Sequence, residues 1–480
     1  MIKIIRQVLF FLVCTLLAPN TLVAQSEKHI RVSPRDSRYL EYSDGTPYIP
    51  IGLNMIGVGN ASTEKGLDQM ERWMKDLVDN RGNFMRLWLS NSFWDVEHRK
   101  SGEYDSSKAS ERLDQILKLA KQRGLKVKVT LEHFRNFKDE GWDAKALHDI
   151  KNGGTATNVE DFFRAARSRD LFLKKLDWYA ARYGSDPTIF MWELWNEVNA
   201  VSHSGYALED ASEQYDWTVV MLDALASRFH DRLVTQSLGS FDDARVRQTY
   251  RAFTSISKNS VAQVHRYLDL GANLPVCHEA VDVLAADAVK ELLHFNLNKP
   301  VLLAESGAVE SKHSGPSRLY AADRAGIILH DVLFAPFFAG AAGPGQIWHW
   351  GDYVAKNNLW FHFGRFAEAI KDIDVPGEGF TTAEEVHGRL RVYALKGAHT
   401  SLLWCRDVDN NWATELRDGK APVPIKNYQM DLRAYLPDTK AEVVVYDPWL
   451  NKWSNLEPNK DKVILPEFTR SIVLRVRTAN

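Results

Sequence analysis

Two glutamates lie close together in the stretch "MWELWNEVN", where Glu193 and Glu197 stand among tryptophans. A third, Glu305, ends the apolar run "PVLLAE". Carboxyl groups act as proton donors, bases or nucleophiles, and two of them divide these tasks when one is kept ionised and the other protonated. The elements that position these three side chains decide which of them can react and which are structural.

Eight short apolar runs predict strands that are buried on both faces, because they lack strict alternation. They begin at Tyr48, Phe84, Lys126, Ile189, Leu233, Val261, Pro300 and Gly345. Segments of helical period lie between them, such as the apolar positions Leu113, Ile116, Leu117 and Ala120, with Gly124 as a stop. This order predicts an α/β fold of the (β/α)8 TIM barrel type, with a doubly wound open sheet as the alternative.

Two further segments flank the predicted barrel. Asp44 and Gly45 predict the turn of a hairpin ahead of the first strand, so the barrel with its hairpin is assigned to residues 25–377. Alternating runs without helical period predict a small C-terminal β-sandwich at residues 378–480. Residues 1–24 carry Lys3 and Arg6, then an apolar run, then Ala24, which predicts a signal peptide and a secreted, periplasmic or cell-surface protein without a membrane span.

The composition bears on possible partners, on sugar binding and on the state of the cysteines. The 480 residues are 45% hydrophobic and have a formal net charge of -2, so no basic excess points to nucleic acid. Fifteen tryptophans suit both a packed core and the stacking of sugar rings. Outside the signal peptide, Cys277 and Cys405 are expected to be buried thiols, with a disulfide as the alternative.

Two apparent cofactor motifs do not hold. "GVGNAS" imitates a dinucleotide fingerprint, but Ser62 stands where its third glycine or alanine belongs, so we expect no nucleotide cofactor. A zinc site built on His133 and His265 lacks the close ligand spacing of zinc motifs, so we expect no metal.

Barrel enzymes carry their chemistry at the carboxyl ends of the strands. Residues at those ends are Asn54, Arg86, Glu132, His133, Asn196, Glu197, His265, Tyr267, Glu305, Trp348 and Trp350. Glu193 lies inside the fourth strand and is expected to be a buried structural acid with partners, whereas Glu197 lies beyond it. Inward glutamates at positions 197 and 305 would leave a gap of about 5 to 7 Å, which fits a glycosidic bond.

The residues at the strand ends resemble a known family. "FMRLWL", "ELWNEV", "VHRY", "LLAESG" and "WHW" at the second, fourth, sixth, seventh and eighth strands are together similar to clan A glycoside hydrolases, most closely family 5 of cellulases and mannanases. The resemblance covers Tyr48 to about Asp374. It departs at Val198, where the family usually has proline.

This resemblance implies roles for single residues. Glu197 matches the general acid/base and Glu305 the nucleophile of a retaining double displacement. The implied substrate-binding residues are Arg86, which also keeps the nucleophile ionised, Asn196 for the sugar 2-hydroxyl, His133, His265 and Tyr267 at the cleavage subsite, and Trp350 as the aromatic platform. Trp348 is the alternative platform, and His349 between them is expected to face away from the mouth.

One local difficulty remains in the sequence. Asn196 and Glu197 are adjacent, so strict alternation would aim them apart, and a bulge or strand end has to turn both into the mouth. The long loop from Phe134 to about Asp161, with Arg135 and Trp142, favours a lid or wall for substrate.

The sequence therefore predicts a secreted retaining glycoside hydrolase that cleaves β-linked polysaccharide or oligosaccharide, similar to an endo-mannanase or glucanase. The alternatives are a catalytically silent carbohydrate-binding protein on the same barrel, or an exo-acting β-glycosidase of the mannosidase or xylosidase type.

Overall fold

The computed structural model describes residues 28–59, 61–134, 137, 146–201, 206–435 and 441–478. The predicted signal peptide and the part of the predicted lid that holds Arg135 and Trp142 lie outside the described residues. Among the helices that are described, none combines the length and the apolar composition that a membrane span requires.

The chain starts with three short antiparallel strands, β1 (Ile30–Val32), β2 (Leu40–Tyr42) and β3 (Pro47–Tyr48). Gly45 has a φ of 90°, a conformation that glycine adopts without strain, and it forms the predicted turn between β2 and β3. The ring of Tyr48 packs edge-on against Phe190, with ring centroids 5.5 Å apart. Because Phe190 lies near the start of its strand, the hairpin covers the amino ends of the central strands.

Five parallel strands follow in sequential order: β4 (Gly52–Asn54), β5 (Phe84–Trp88), β6 (Lys126–His133), β7 (Ile189–Asn196) and β8 (Leu233–Thr235). A second parallel pair consists of β9 (Ala262–His265) and β10 (Val301–Glu305). In a doubly wound sheet the strand order reverses partway. The sequential order therefore contradicts the doubly wound alternative.

Backbone hydrogen bonds connect the two parallel sheets on both sides. Ser260 donates to the carbonyl of Val234 at 2.8 Å, beside β8. On the other side, Ile347 forms a parallel bridge with Ser306 and accepts a hydrogen bond of 3.2 Å from the Asn54 amide of β4.

Two of the predicted strands differ from the structure. The run from Tyr48 is split by Pro50, which has no N–H for a sheet, so Tyr48 belongs to the hairpin and β4 begins at Gly52. Within the described range 206–435, the predicted eighth strand is reduced to the bridge at Ile347, because the chain enters a π-helical turn at Trp350–Ala355.

Helices connect the strands as the periodicity predicts. Between Leu319 and Phe338, where the apolar residues also have a helical period, the chain forms two helices, because Gly326 has a φ of 77° and the Asp323 carboxylate caps the second one. The described α-helices are Thr63–Asp79, Lys108–Gln122, Val159–Arg164, Ala166–Tyr183, Ser212–Arg228, Arg247–Ser255, Val281–Leu293, Leu319–Ala322, Ile327–Phe338, Phe361–Ala369 and Val375–Glu378.

The C-terminal region is an antiparallel β-domain, as predicted, and the boundary at residues 377 and 378 stays a prediction. Six strands form one sheet in the order β11-β12-β13-β18-β15-β16, and β14 pairs with β17. Their bounds are β11 (Thr381–His387), β12 (Leu390–Lys396), β13 (Thr400–Asp407), β14 (Gln429–Asp431), β15 (Ala441–Asp447), β16 (Lys452–Leu456), β17 (Lys462–Ile464) and β18 (Ser471–Thr478).

In the middle of the six-stranded sheet both faces are buried, as all residues of β13 are, whereas the edge strand β11 is largely exposed. One face, with Leu403 and Cys405, packs against Met430 and Val463 of the small β14-β17 layer. The opposite face, which includes Trp404, belongs to the core of the parallel domain. Cys277 and Cys405 are buried and unpaired.

Buried ion pairs fix the C-terminal sheet to the helices. The Arg406 guanidinium in β13 donates to both oxygens of Asp331 in helix Ile327–Phe338, at 2.8 and 3.1 Å, and both residues are 1% exposed. Arg391 and the hydroxyl of Tyr393 both donate to Asp282 in helix Val281–Leu293, at 2.6 and 3.0 Å. These ion pairs fix the position of the C-terminal sheet relative to the two helices.

We predict that Arg406→Met lowers the free energy of unfolding by about 3 to 5 kcal/mol, because the buried Asp331 loses its partner and has to stay as an unpaired charge or take up a proton. The double variant Asp331→Leu/Arg406→Met should lose less than the single variant, because no unpaired charge remains. Thermal and urea unfolding of the full chain measure both values. A double variant that loses at least as much as Arg406→Met would contradict this account of the interface.

Candidate active site

The guanidinium of Arg86 in β5 is fully buried and lies at the centre of the site. Its Nε and Nη2 donate to Oε2 of Glu193 at 3.0 and 2.7 Å, and its Nη1 donates to Oε1 of Glu305. Nη1 and Nη2 also donate to the side-chain oxygens of Asn54 and Asn196, at 3.1 and 2.8 Å. Burial lowers the pKa of Arg86, but the charges of the two glutamates outweigh burial and raise it above its ordinary value. The guanidinium is therefore charged and held from several sides.

Glu193 is buried in the interior of the sheet and has partners, as predicted. The Thr130 hydroxyl donates to its Oε2 at 2.5 Å, and the ammonium of Lys128 lies 3.4 Å from the same oxygen and donates to Gln263. Burial raises the pKa of Glu193, but Arg86 and Lys128 bring it down to about 2. Burial lowers the pKa of Lys128 to about 7, although Glu193 opposes that shift. A layer of charged groups thus lies beneath the strand ends.

Glu305 ends β10 and is 3% exposed. The Tyr267 hydroxyl donates to its Oε2 at 2.8 Å, while Arg86 binds Oε1. Two residues further on, Gly307 has a φ of 135°, and a Cβ there would lie 2.6 Å from the Tyr320 hydroxyl. The glycine of the "ESG" motif is therefore required by backbone conformation and by space.

Glu197 follows β7 directly and has a φ of 57°, in the left-handed region that glutamate rarely adopts. Its amide donates to the Ser237 hydroxyl at 3.2 Å, and its Oε1 is hydrogen-bonded to Nδ1 of His265 at 2.8 Å. This left-handed residue resolves the conflict with strand alternation, because it turns Glu197 to the same side as Asn196, and both line one cavity.

The carboxylates of Glu197 and Glu305 face each other. One oxygen of each and a ring nitrogen of His265 all lie within 4.8 Å of one another. His265 Nδ1 is 3.6 Å from Oε2 of Glu305, so the imidazole lies between the two acids. Two carboxylates this close can act on the same acetal.

Both acids open into a cavity of about 530 Å³ at the carboxyl ends of the strands. Its described lining consists of Trp88, Phe134, Asn196, Glu197, Tyr267, Glu305, Val309, Lys312, His313, Gly315, Pro316, Trp348, His349 and Asp352. Clefts of this size with a few convergent polar groups are typical ligand sites.

The two candidates for the aromatic platform differ in their position relative to the cavity. Trp348 lines the cavity, whereas Trp350 is not among the described lining residues and packs edge-on against Trp73 and Trp348, with ring centroids 6.3 and 5.7 Å apart. The choice of Trp350 assumed a regular strand, but the chain turns into a helical conformation at this residue.

The other predicted residues surround the two acids. His133 stacks on the cavity-lining Trp88 with ring centroids 5.0 Å apart, and its Nδ1 is hydrogen-bonded to Ser90 at 2.7 Å. His265 and Tyr267 contact Glu197 and Glu305 directly.

Glu132 does not join them. It was expected at the mouth but pairs with Lys175, which also lies 3.0 Å from Glu97. Because successive side chains of a strand point to opposite faces, Glu132 lies on the side away from His133. The ammonium of Lys175 thus pairs with two members of the cluster Glu97, Glu132 and His148. In the cluster of Glu197, His265 and Glu305, Arg86 binds Glu305.

Two histidines that line the cavity were not predicted from the sequence. His349 was expected to face away, yet it lines the cavity with its Nδ1 hydrogen-bonded to Tyr320 at 3.0 Å, and burial lowers its pKa to about 4. His313 lies in the loop after β10, with its Nδ1 3.0 Å from the buried Asp269 carboxylate. Burial lowers the pKa of His313, but Asp269 raises it above its ordinary value. The position of this loop at a strand's carboxyl end was the available signal.

Part of the chain is similar in sequence to a known enzyme. A mannan endo-1,4-beta-mannosidase A of Podospora anserina is 25% identical over 203 residues, which cover 40% of this chain and 50% of that protein. The chain thus spans about half the length of the curated relative it matches.

Solved structures share the fold. A glycoside hydrolase family 5 structure from Bacteroides vulgatus has a TM-score of 0.59 at 14% identity, over 94% of this chain and 93% of that one. An endo-1,4-beta-mannanase from Rhizomucor miehei has a TM-score of 0.50 at 19% identity, over 71% of this chain and 99% of that one.

A profile of the family described as cellulase (glycosyl hydrolase family 5) matches residues 44–327. This match includes every strand from β4 to β10 and both glutamates that face each other across the cavity. Because it covers more than half of the 480 residues, the chain belongs to glycosyl hydrolase family 5.

Proposed function

We propose that this protein is a secreted retaining glycoside hydrolase of the cellulase and mannanase type, which cleaves β-linked polysaccharide at a closed (β/α)8 barrel. The observation that carries the proposal is the pair Glu197 and Glu305, whose oxygens approach within 4.8 Å in an open cavity. Retaining enzymes have carboxyl groups about 5 to 5.5 Å apart, whereas inverting enzymes need about 6.5 to 9.5 Å for a water. Secretion rests on the pattern of residues 1–24.

In the first step, Glu305 attacks the anomeric carbon. Arg86 and Tyr267 hold its two oxygens, so the nucleophile is oriented before substrate arrives. Glu197 donates its proton to the departing glycosidic oxygen, and a covalent glycosyl ester forms on Glu305.

In the second step, Glu197 is the base. It removes a proton from water, which attacks the anomeric carbon and releases the sugar with its original configuration. His265 is hydrogen-bonded to Glu197 and lies close to Glu305, so it orients the acid in both steps.

The substrate proposed first is β-1,4-mannan. The support is the curated relative, whose name is mannan endo-1,4-beta-mannosidase A, and the similarity in fold to an endo-1,4-beta-mannanase. Activity is tested on a panel of substrates that also contains β-glucans, β-mannosides and β-xylosides. The last two are included because the same two acids serve internal and terminal cleavage.

Substitution of the two glutamates tests the catalytic roles. Glu305→Ala should lower kcat/KM on every substrate by at least about 1,000-fold, because no covalent step remains. Glu197→Ala should lose about 100- to 10,000-fold on polysaccharide. It should lose much less on a 2,4-dinitrophenyl glycoside, whose leaving group needs no proton, and azide should restore its turnover.

Glu291→Ala is the matched control, because Glu291 pairs with Arg247 at the surface, and it should keep wild-type rates. Polysaccharide binding is measured in parallel for all variants. Binding by wild type without turnover of any panel member would contradict the proposal and support a silent carbohydrate-binding protein.

The two tryptophans provide a second prediction. Trp348→Ala should lower kcat/KM about tenfold, mainly through KM, because it removes an aromatic face that lines the cavity. Trp350→Ala, which changes a neighbouring ring of the same kind, should have a smaller effect. Steady-state kinetics on soluble mannan measure both, and a larger KM effect at Trp350 would show that the platform is assigned to the wrong residue.

A further inference from the structure

The charged layer beneath Glu305 contains two groups that the mechanism does not use. Lys128 in β6 and Glu193 in β7 are both 0% exposed, and neither lines the cavity as described. We propose that Lys128 and Glu193 are positioning residues for the nucleophile, which act through Arg86 by fixing its orientation and balancing its charge. This inference rests on the proposed role of Glu305.

The first argument is geometric. Glu193 receives two hydrogen bonds from Arg86, through Nε and Nη2, and both go to the same oxygen. Nη1 is thereby left for Glu305 and Asn54. Without Glu193, the guanidinium could rotate and form a bidentate pair with Glu305, which is the geometry that arginine prefers with a carboxylate. A nucleophile bound in that way would be oriented differently and stabilised too strongly to react well.

The second argument concerns charge. Arg86 and Lys128 are two cations and Glu193 and Glu305 two anions, so the buried layer is neutral when all four are ionised. If Lys128 were absent, Arg86 alone would have to balance both carboxylates. Burial lowers the pKa of Lys128 to about 7. The amine is therefore charged throughout the acidic range.

Other titratable groups also face Glu305. They are Glu197 after β7, His265 in β9 and Tyr267 beyond β9. The neighbours of Lys128 and Glu193 are the neutral side chains of Thr130, Gln263 and Thr235, besides Arg86. The partners of Lys128 are Gln263 and Glu193, and neither is among the described lining residues, so the charge at 128 can be removed without a direct change to the cavity wall.

The sign of each effect follows from Coulomb's law. Lys128→Met removes a positive charge, so ionisation of Glu305 becomes less favourable, and the acidic limb of kcat/KM should move to higher pH by about one unit. Adding Glu193→Gln to that variant removes a negative charge, so the limb should return toward the wild-type position. If Lys128 and Glu193 only stabilised the fold, the losses of activity from the two substitutions would add, and the acidic limb would not return.

The experiment measures kcat/KM against pH for wild type, Lys128→Met and Lys128→Met/Glu193→Gln, with a 4-nitrophenyl β-glycoside that wild type cleaves. We expect KM at the optimum to change less than about twofold, because neither residue touches substrate, while kcat falls about tenfold. Circular dichroism at each pH confirms that the variants stay folded.

Asp331→Asn is the matched control, because it also disturbs a fully buried ion pair but lies at the domain interface. It should lower the melting temperature and leave the acidic limb in place. If wild type turns over no glycoside, the proposed function fails. If wild type is active and the limb of Lys128→Met does not rise, or does not return in the double variant, only this inference is overturned.

Discussion

A guanidinium that has no contact with water needs hydrogen-bond acceptors and compensating charge on every side, and the interior of this domain is arranged around that requirement at Arg86. Its partners come from β4, β7 and β10, so one side chain connects strands that lie far apart in the sequence. A change in the position of any of these strands would remove one of the acceptors of this buried charge. The same contacts orient Glu305, and the constraint that stabilises the fold therefore also prepares the nucleophile.

Much of the fold and of the candidate site could be predicted from the sequence, because the relevant signals are local. Apolar runs and helical periods indicate parallel strands with covering helices, and functional residues follow where those strands end. Arg86, Asn196, Glu305 and Tyr267 all lie within one or two residues of a strand's end, and the structure brings them together. Glu193 could be identified as buried because it lies inside a strand and needs partners.

The other features of the site depend on backbone conformations that the alternation of side chains along a strand does not predict. The turn of Glu197 into the cavity needs a left-handed glutamate, and no residue type in "NEV" signals one. His349 was misplaced because the eighth strand is replaced by a bridge and a π-helical turn, which also gives Trp350 a different position from the one in a regular strand. Lys128 was not recognised, since a lysine in "KVKVT" is normally exposed, and only its distant partners Glu193 and Gln263 make its burial possible.

The account depends on Glu305 being the group that bonds to sugar. Incubation with a 2,4-dinitrophenyl 2-deoxy-2-fluoro-β-glycoside, matched to the sugar that the protein cleaves, traps the ester because fluorine slows the second step. Mass spectrometry of the intact chain and of its peptides should show one added fluoroglycosyl group, located on Glu305. A label on another residue, or no label on a protein that turns over the parent glycoside, would contradict the account.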